Sequence, residues 1–493
     1  MSEKFKVKSV KFNFLMNIIL KMSGVIFPLI TFPYVSRVLL SEANGKIAFA
    51  TSVVSYFSLL ASMGIPSYGI RKCAEVRDNR SKLSKVVGEL LILNSLFTIL
   101  SYIIFLVLLI IIPKFTRDTP LFLITSTTII FNMLGVEWFY QAIEQYQYIT
   151  IRNISFKIIS VILMFLFVHE PKDYILYAGI NVFSSVGSNF LNFIRLSNYV
   201  DLKSCKFQKY DIYIHFLPII TLFLYNATTV IFTSLDQVML GFLTDDSSVG
   251  FYSAAIKIKN ILVSLITALG AVMLPKISYA LKNESNEYFE RMISKSFDFI
   301  LISAIPISMY FILMAEEVIF VLAGQTFSES IPILRFLMPS IVFIGLSSVT
   351  AWQLLIPLGK EKYTVGGAVF GAVVSILVNI VTIPKLDAVG AAIASSLAEF
   401  SVLFVHVNAL KQIFRKTFDM KELIISFFAT MISAIIVSLL KSVLIIENNF
   451  LSCLIYGLFF FGFFVLLLLF FKERLVFEII SQIKNKYNMR RIR

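Results

Sequence analysis

The stretch SRVLLSEANGKIAFATSVVSYFSLLASMGIPSYGIRKCA, residues 36–74, returns about two hundred residues later as LDQVMLGFLTDDSSVGFYSAAIKIKNILVSLITALGAVMLPKISYAL, residues 235–281. Each copy reads as the end of an apolar run, a short polar loop, a glycine (Gly45, Gly250) and an aromatic residue near an alanine. A second apolar run follows and closes on Pro66 or Pro275 before a basic segment. A weaker echo links EWFYQAIEQYQYITIRN (137–153) with AWQLLIPLGKEKYTVGG (351–367). The chain is therefore built twice over, from units too long for a solenoid repeat.

What each unit consists of follows from composition. Soluble domains are roughly 45–50% apolar and about 25% charged, whereas this chain is 58% apolar and 15% charged, with 49 Phe and mean hydropathy +0.84. The apolar residues come in blocks of roughly 20, enough to cross a hydrocarbon core of about 30 Å as a helix. A segment in lipid must satisfy its own backbone hydrogen bonds, so these blocks are helices. The alternation of a membrane β-barrel is absent. Spans are expected at 13–36, 47–67, 86–112, 120–140, 150–169, 174–196, 215–239, 250–275, 294–315, 332–357, 363–384, 387–409, 422–441 and 450–471. The fold class is an all-α polytopic membrane protein of about 14 transmembrane helices.

The net charge of +14 could suggest a nucleic-acid partner, but the placement of the basic residues excludes one. Numbering the polar segments alternately sorts Lys and Arg almost entirely into one set. That set holds the N-terminus (Lys4, Lys6, Lys8, Lys11), the connection with Arg71, Lys72, Arg77, Arg80, Lys82 and Lys85, and the C-terminal tail. Acidic residues hardly discriminate. This is the positive-inside pattern, and it puts both termini in the cytoplasm with an even number of helices. The first apolar block is a full span rather than a cleavable signal. Cys73, Cys205 and Cys453 show no metal-ligand spacing, so no metal is expected.

The two copies are six helices apart. Six is even, so both keep the same orientation, which implies two parallel six-helix lobes related by an axis along the membrane normal. The expected organisation is an N-terminal lobe (1–200), a second lobe (201–415), and helices 13 and 14 with a basic tail (416–493). Two lobes around a cavity make an alternating-access transporter.

The segments FPLITFPYVSRVLL, FATSVVSYFSLLASMGIPSYGIRKCAEVR, EWFYQAIEQYQYITIRN and SLDQVMLGFLTDDSSVGFYSAAIKI resemble those of Wzx-type polysaccharide flippases. These belong to the MOP superfamily, which also holds the peptidoglycan-precursor flippase MurJ and the MATE exporters. The resemblance covers helices 1–12. It implies a V-shaped, MATE-like fold in the bacterial inner membrane. The implied activity is export of undecaprenyl-diphosphate-linked oligosaccharide units to the outer leaflet, for O-antigen, capsule or exopolysaccharide synthesis. The polysaccharide polymerase machinery would be a partner.

Ionisable groups inside spans mark pathways or paired structural charges. In helix 1, Asn13, Asn17, Lys21, Gly24, Pro28 and Thr31 are spaced 4, 4, 3, 4 and 3, one continuous face. A polar stripe with a cation suits a wet cavity that receives an anion; a lysine snorkelling to the interface is the bland alternative. Helix 8 repeats the pattern with Ser253, Lys257, Asn260, Ser264 and Thr267, while Lys259 falls on another face and is expected to cap or snorkel. Helix 5 offers Asn153, Lys157 and Ser160 on one face, although Lys157 is close to the cytoplasmic end and reads more readily as interfacial. Lys21, Lys157 and Lys257, with Asn17 and Asn260, would form a receptor for a diphosphate, with Lys acting as a point charge. Arg37 reads equally as an outer-gate or an interface residue; Asp236 occupies the matching position in the second copy, and the two would pair as a gate. Glu137 and Gln141, in what the resemblance marks as a Glu-Trp signature, are expected to act in a gate, in helix packing or in contact with the sugar. Glu399, on a face with Ser395 and His406, could serve as a coupling acid, with a satisfied structural carboxylate as the more ordinary reading. Asp298 is expected to pair locally with Lys295 or Arg291, and Glu89 with Lys85.

No cofactor is expected. The drive would be H+ or Na+ coupling, or the membrane potential alone. A MATE-type cation-coupled antiporter shares the lobes but wants carboxylates where helix 1 carries Lys21. A membrane glycan polymerase or ligase would need catalytic residues clustered at one face, and the three histidines (His169, His215, His406) are scattered. Asp245-Asp246 looks like a metal pair but sits in a turn. The chain reads as a transporter, not an enzyme.

Overall fold

The computed structural model describes residues 8–202, 209–478 and 481; Cys205 and the outermost basic residues of both termini lie outside them. The described residues form helices and turns. Among the described residues, ten helices are long and apolar enough to cross a membrane. Two of the ten are double. The 53 residues of Val10–Ser62 would run about 80 Å if straight, far beyond any bilayer. The path turns at Leu40 (φ 60°, ψ −175°). Glu361–Ala409 turns likewise at Asp387 (φ 47°, ψ −129°).

Printed contacts show that both turns reverse the chain. Before Leu40, Asn13 reaches Glu144 while Tyr34 donates to the Val168 carbonyl at 2.7 Å. After it, Lys46 lies 5.5 Å from the Tyr174 ring, and Arg77 returns to Glu144 at 2.6 Å. Glu144 thus marks one end of these passes and Val168–Tyr174 the other. In the second double helix, Gly367 and His406 touch, so that pair is antiparallel as well. Counting both as two passes, and adding Tyr174–Leu196 and Lys209–Leu243, gives an arrangement compatible with fourteen.

The chain divides into two compact units, Met1–Gly250 and Phe251–Arg493. Local signals start the helices. Asn79 accepts from Lys82 N–H, Ser285 from Tyr288 N–H, and Asn448 from the N–H groups of Phe450 and Leu451, satisfying donors that a helix start leaves open. Large apolar side chains face outward, Ile110 being 77% and Leu458 76% exposed, a surface that only lipid tolerates.

The repeated motif earns its residues by packing. A Cβ on Gly45 would fall within contact of the Asp246 carbonyl and 2.8 Å from the Gly250 nitrogen. One on Gly250 would strike the Ser41 carbonyl, so these backbones meet with no room for a side chain. Phe49 is buried among Phe115, Phe122 and Phe242, and Tyr252 is fully buried in its own unit.

Two expectations about connections change. The polar loop after Leu40 is a one-residue turn, and residues 276–293 are mostly helix, since Asp246–Asn283 and Asn286–Leu313 run past the apolar stretches. Hydropathy ends where lipid ends, whereas a helix ends at its cap. Asp298 also departs from the local reading. Arg474 holds it with bonds of 2.9 and 2.5 Å, while Lys295 pairs with Glu478 and Arg291 with Glu287. A partner 176 residues away is invisible to helix spacing.

Candidate functional site: a cationic cavity in the first unit

Three helices shape a cavity of about 220 Å³ inside the first unit. Helix 1 contributes Gly24, Pro28 and Thr31, three members of the stripe read from sequence. The Tyr146–Phe167 helix contributes Lys157 and Ser160. Pro28 has no N–H, so the Gly24 carbonyl loses its ordinary helical partner beside the cavity. Nothing lies within 4 Å of where a Gly24 Cβ would stand.

Lys157 is half-buried midway along its helix. Its ammonium donates to Ser23 Oγ at 2.9 Å and stands 5.8 Å from the Phe27 ring centre. It makes no ion pair with any described residue, so its charge is left for whatever enters. The sequence placed Lys157 close to the cytoplasmic end of its helix; the structure turns it into the cavity.

The third wall escaped the sequence reading. Tyr177, Asn181, Ser184 and Ser185 line it, and the last two belong to a π-helical turn, Phe183–Gly187. Such bulges shift the register of side chains within a helix and recur at functional sites. The signal available was the polar run Asn181, Ser184, Ser185, Ser188, Asn189 inside an apolar span.

The other sequence candidates are distributed. Lys21 is exposed and forms no hydrogen bond or ion pair with a described residue, and Asn17 is half-buried. Arg37 is exposed and donates to the Pro33 carbonyl at 2.5 Å, whereas Asp236 is buried; both lie in the first unit. Glu137 and Gln141 join a cluster at the Glu144 end. Glu137 lies 3.8 Å from the buried Arg152 and accepts from Gln141 at 3.4 Å. Trp138 packs so closely that a Cβ on Gly69 would come within 2.6 Å of its ring. At the same end, the Glu144 carboxylate raises the Arg77 pKa. At the opposite end, N–H bonds from His169 and Glu170 hold the Asp173 carboxyl below its usual range.

In the second unit Lys257 is half-buried and Asn260 exposed. Lys259, expected to cap or snorkel, is instead buried and donates to Ser395 at 3.4 Å. The two lysines do point apart, as a two-residue helical offset requires. Glu399 is half-buried, and His406 bonds Thr350 at 3.1 Å. The acidic pair has ordinary work: Asp245 caps a helix through Ser248 N–H, and Asp246 pairs with Lys114 at 3.0 Å.

Comparison with known proteins fits this geometry. The chain is 25% identical over 406 residues to a protein named as a candidate O-antigen transporter from Shigella dysenteriae, covering 81% of this chain and 100% of that one. A protein of the same name from Escherichia coli (strain K12) is 22% identical over 405 residues, covering 79% and 94%. Among solved structures, the lipid II flippase MurJ in an inward closed conformation aligns with TM-score 0.77 at 17% identity, over 93% of this chain and 99% of that chain. An inward-facing multidrug MATE transporter of the MOP superfamily aligns at 0.65 and 14%, over 82% and 98%. The family model described as polysaccharide biosynthesis protein matches residues 10–281. With more than half of its length matched, the chain belongs to the polysaccharide biosynthesis protein family.

Proposed function

We propose that this protein is a flippase, carrying undecaprenyl-diphosphate-linked oligosaccharide repeat units from the cytoplasmic to the outer leaflet by alternating access. The observation that carries this reading is Lys157: a cation held inside a membrane helix bundle, facing a cavity, with no carboxylate among the described residues paired to it. An unpaired intramembrane charge is costly and functional by default, and a diphosphate supplies its counter-charge. The hydroxyls and amide beside it suit a sugar-bearing headgroup better than an apolar cation.

In this reading each unit presents the headgroup with cations of its own, Lys21 with Asn17 in one and Lys257 with Asn260 in the other. Arg37 with Asp236, and Glu137 with Gln141, act as gating pairs. The lobes comprise residues 1–200 and 201–415, with 416–493 appended. Both termini face the cytoplasm of a bacterial inner membrane, and the product passes to a polysaccharide polymerase. Moving each negative charge outward across an inside-negative potential releases about 2.3 kcal/mol per 100 mV, a drive that H+ or Na+ coupling through Glu399 would supplement.

The test is deletion of the gene, followed by extraction of lipid-linked oligosaccharide and assignment of its leaflet. The expected result is accumulation on the cytoplasmic leaflet, reversed by the wild-type chain. Unchanged levels and leaflet distribution would overturn the assignment.

A further inference from the structure

Three buried polar side chains from three helices meet away from the Lys157 cavity. His215, on Lys209–Leu243, has Nδ1 2.8 Å from the Tyr68 hydroxyl and Nε2 3.0 Å from a Glu89 carboxylate oxygen. All three are buried, at 4%, 4% and 3% exposure for His215, Tyr68 and Glu89. Spacing alone had paired Glu89 with Lys85; that contact exists at 3.9 Å but is the longer one.

The surrounding charges are few. The segment Ile65–Val76 brings Arg71, 5.7 Å from the Tyr68 ring centre, and Lys72, which is paired with Glu75 at 2.8 Å. Arg80–Ile111 brings Lys85, whose side chain is 44% exposed, besides Glu89; Arg80 and Lys82 precede it toward the helix start. On the histidine's own helix Tyr213 is exposed, and the sequence places Asp211 one helical turn before His215. Between Lys46 and Arg71 the chain carries no titratable group but Tyr56 and Tyr68.

His215 can take up a proton and keep both of its hydrogen-bonded contacts. With a neutral ring, Nε2–H donates to Glu89 and Nδ1 accepts the Tyr68 O–H. With a cationic ring, both nitrogens donate, the Tyr68 oxygen becomes an acceptor, and its hydrogen must find a new partner. Uptake of the proton takes the formal charge of the trio from −1 to 0.

The reversed bond sits beside a break in the backbone. Met63 (φ 44°) and Gly64 (φ 76°) separate the preceding helix from Ile65–Val76. A Cβ on Gly64 would stand 2.6 Å from the Ile219 carbonyl, and Ile219 is one helical turn on from His215. Tyr68 is one turn on from Gly64, and Gly69 next to it bears the Trp138 ring. The geometry points to a proton-operated hinge: protonation of His215 turns the Tyr68 hydrogen bond around and shifts Ile65–Val76 about the Met63–Gly64 break. This inference is independent of what the chain transports.

The structure supplies the reporter. The chain has two tryptophans; the substitution W352F leaves Trp138, packed on the moving segment, as the sole indole. Full-length protein in lipid nanodiscs would be followed by Trp138 emission between about pH 8 and 5, and by NMR of its three 15N-labelled histidines, His215 being assigned by its loss in H215Q. The expected result is a His215 titration within that range and an emission shift with the same midpoint. H215Q should abolish the emission shift. Y68F, which removes one hydroxyl and keeps the ring packing, should abolish it while His215 still titrates. A His215 that does not titrate, an emission shift that survives in H215Q or Y68F, or a titration without any shift would each overturn the proposal.

Discussion

Replacing Lys157 by glutamine removes a charge and keeps a donor of nearly the same reach. Unit charges 4 Å apart attract by about 4 kcal/mol at an effective dielectric constant of 20. That is an upper value here, because Lys157 is only half-buried. The net worth of a hydrogen bond to a charged group is about 1.5–3 kcal/mol, which at 1.4 kcal/mol per decade is roughly a 10- to 140-fold loss of affinity. The Ser23 hydroxyl at 2.9 Å positions the ammonium without neutralising it, so Ser23→Ala should cost far less. Equilibrium binding of undecaprenyl diphosphate to the purified protein in nanodiscs measures both. Glutamate at 157 should weaken binding beyond glutamine, by repulsion. If folded Gln and Glu variants bind as tightly as wild type, the cavity is not the diphosphate site.

Three further outcomes follow from packing. Gly45→Ala and Gly250→Ala should each lower stability by about 1–3 kcal/mol, since backbone stands where the new methyl must go. Gly24→Ala, with open space around it, should not, and thermal unfolding in detergent separates the cases. Gly69→Ala should destabilise by a similar overpacking margin of about 1–3 kcal/mol and be relieved when Trp138 is cut to Leu; additive losses in the double variant would refute the contact. Asp298→Asn should cost about 1.5–3 kcal/mol by weakening the charged hydrogen bonds from Arg474. The loss should be read as earlier proteolytic release of the C-terminal segment, and an unchanged digestion pattern would refute it.

Much of this molecule was legible because lipid enforces simple rules. Apolar runs of the required length located the passes, and the Gly45–Gly250 echo in the sequence turned out to mark two backbones in contact. Of the helix 1 stripe, Gly24, Pro28 and Thr31 line a cavity with Lys157, whereas Asn17 and Lys21 are not part of that lining. What stayed hidden depended on long-range partners or on irregular backbone. Arg474 could not be foreseen as the partner of Asp298, nor His215 as that of Glu89, because helical spacing sees only neighbours one turn away. The π-turn at Phe183–Gly187 has no spacing signature at all, and with it went the third wall of the cavity. Lys259 was misjudged for a related reason: a lysine reads as amphipathic, and only the packed structure reveals a buried acceptor such as Ser395.

The single-residue reversals at Leu40 and Asp387 bear on how the chain enters the bilayer. Both place a non-glycine residue at positive φ, a conformation costing on the order of 1–3 kcal/mol that persists only where surroundings enforce it. Here Asn44 donates to the Leu40 carbonyl at 2.7 Å, and the Thr382 hydroxyl donates to the Gly390 carbonyl at 3.1 Å. The residues beside each turn are polar, Ser41, Glu42 and Asn44 at the first and Lys385 at the second, yet helix runs up to the turn from both sides. Each pair is therefore expected to enter the bilayer as one hairpin, its sidedness decided jointly by the charges at its open end. For the first pair these are the basic N-terminus and the Arg71–Lys85 segment, so biogenesis commits the orientation of residues 10–76 in one step.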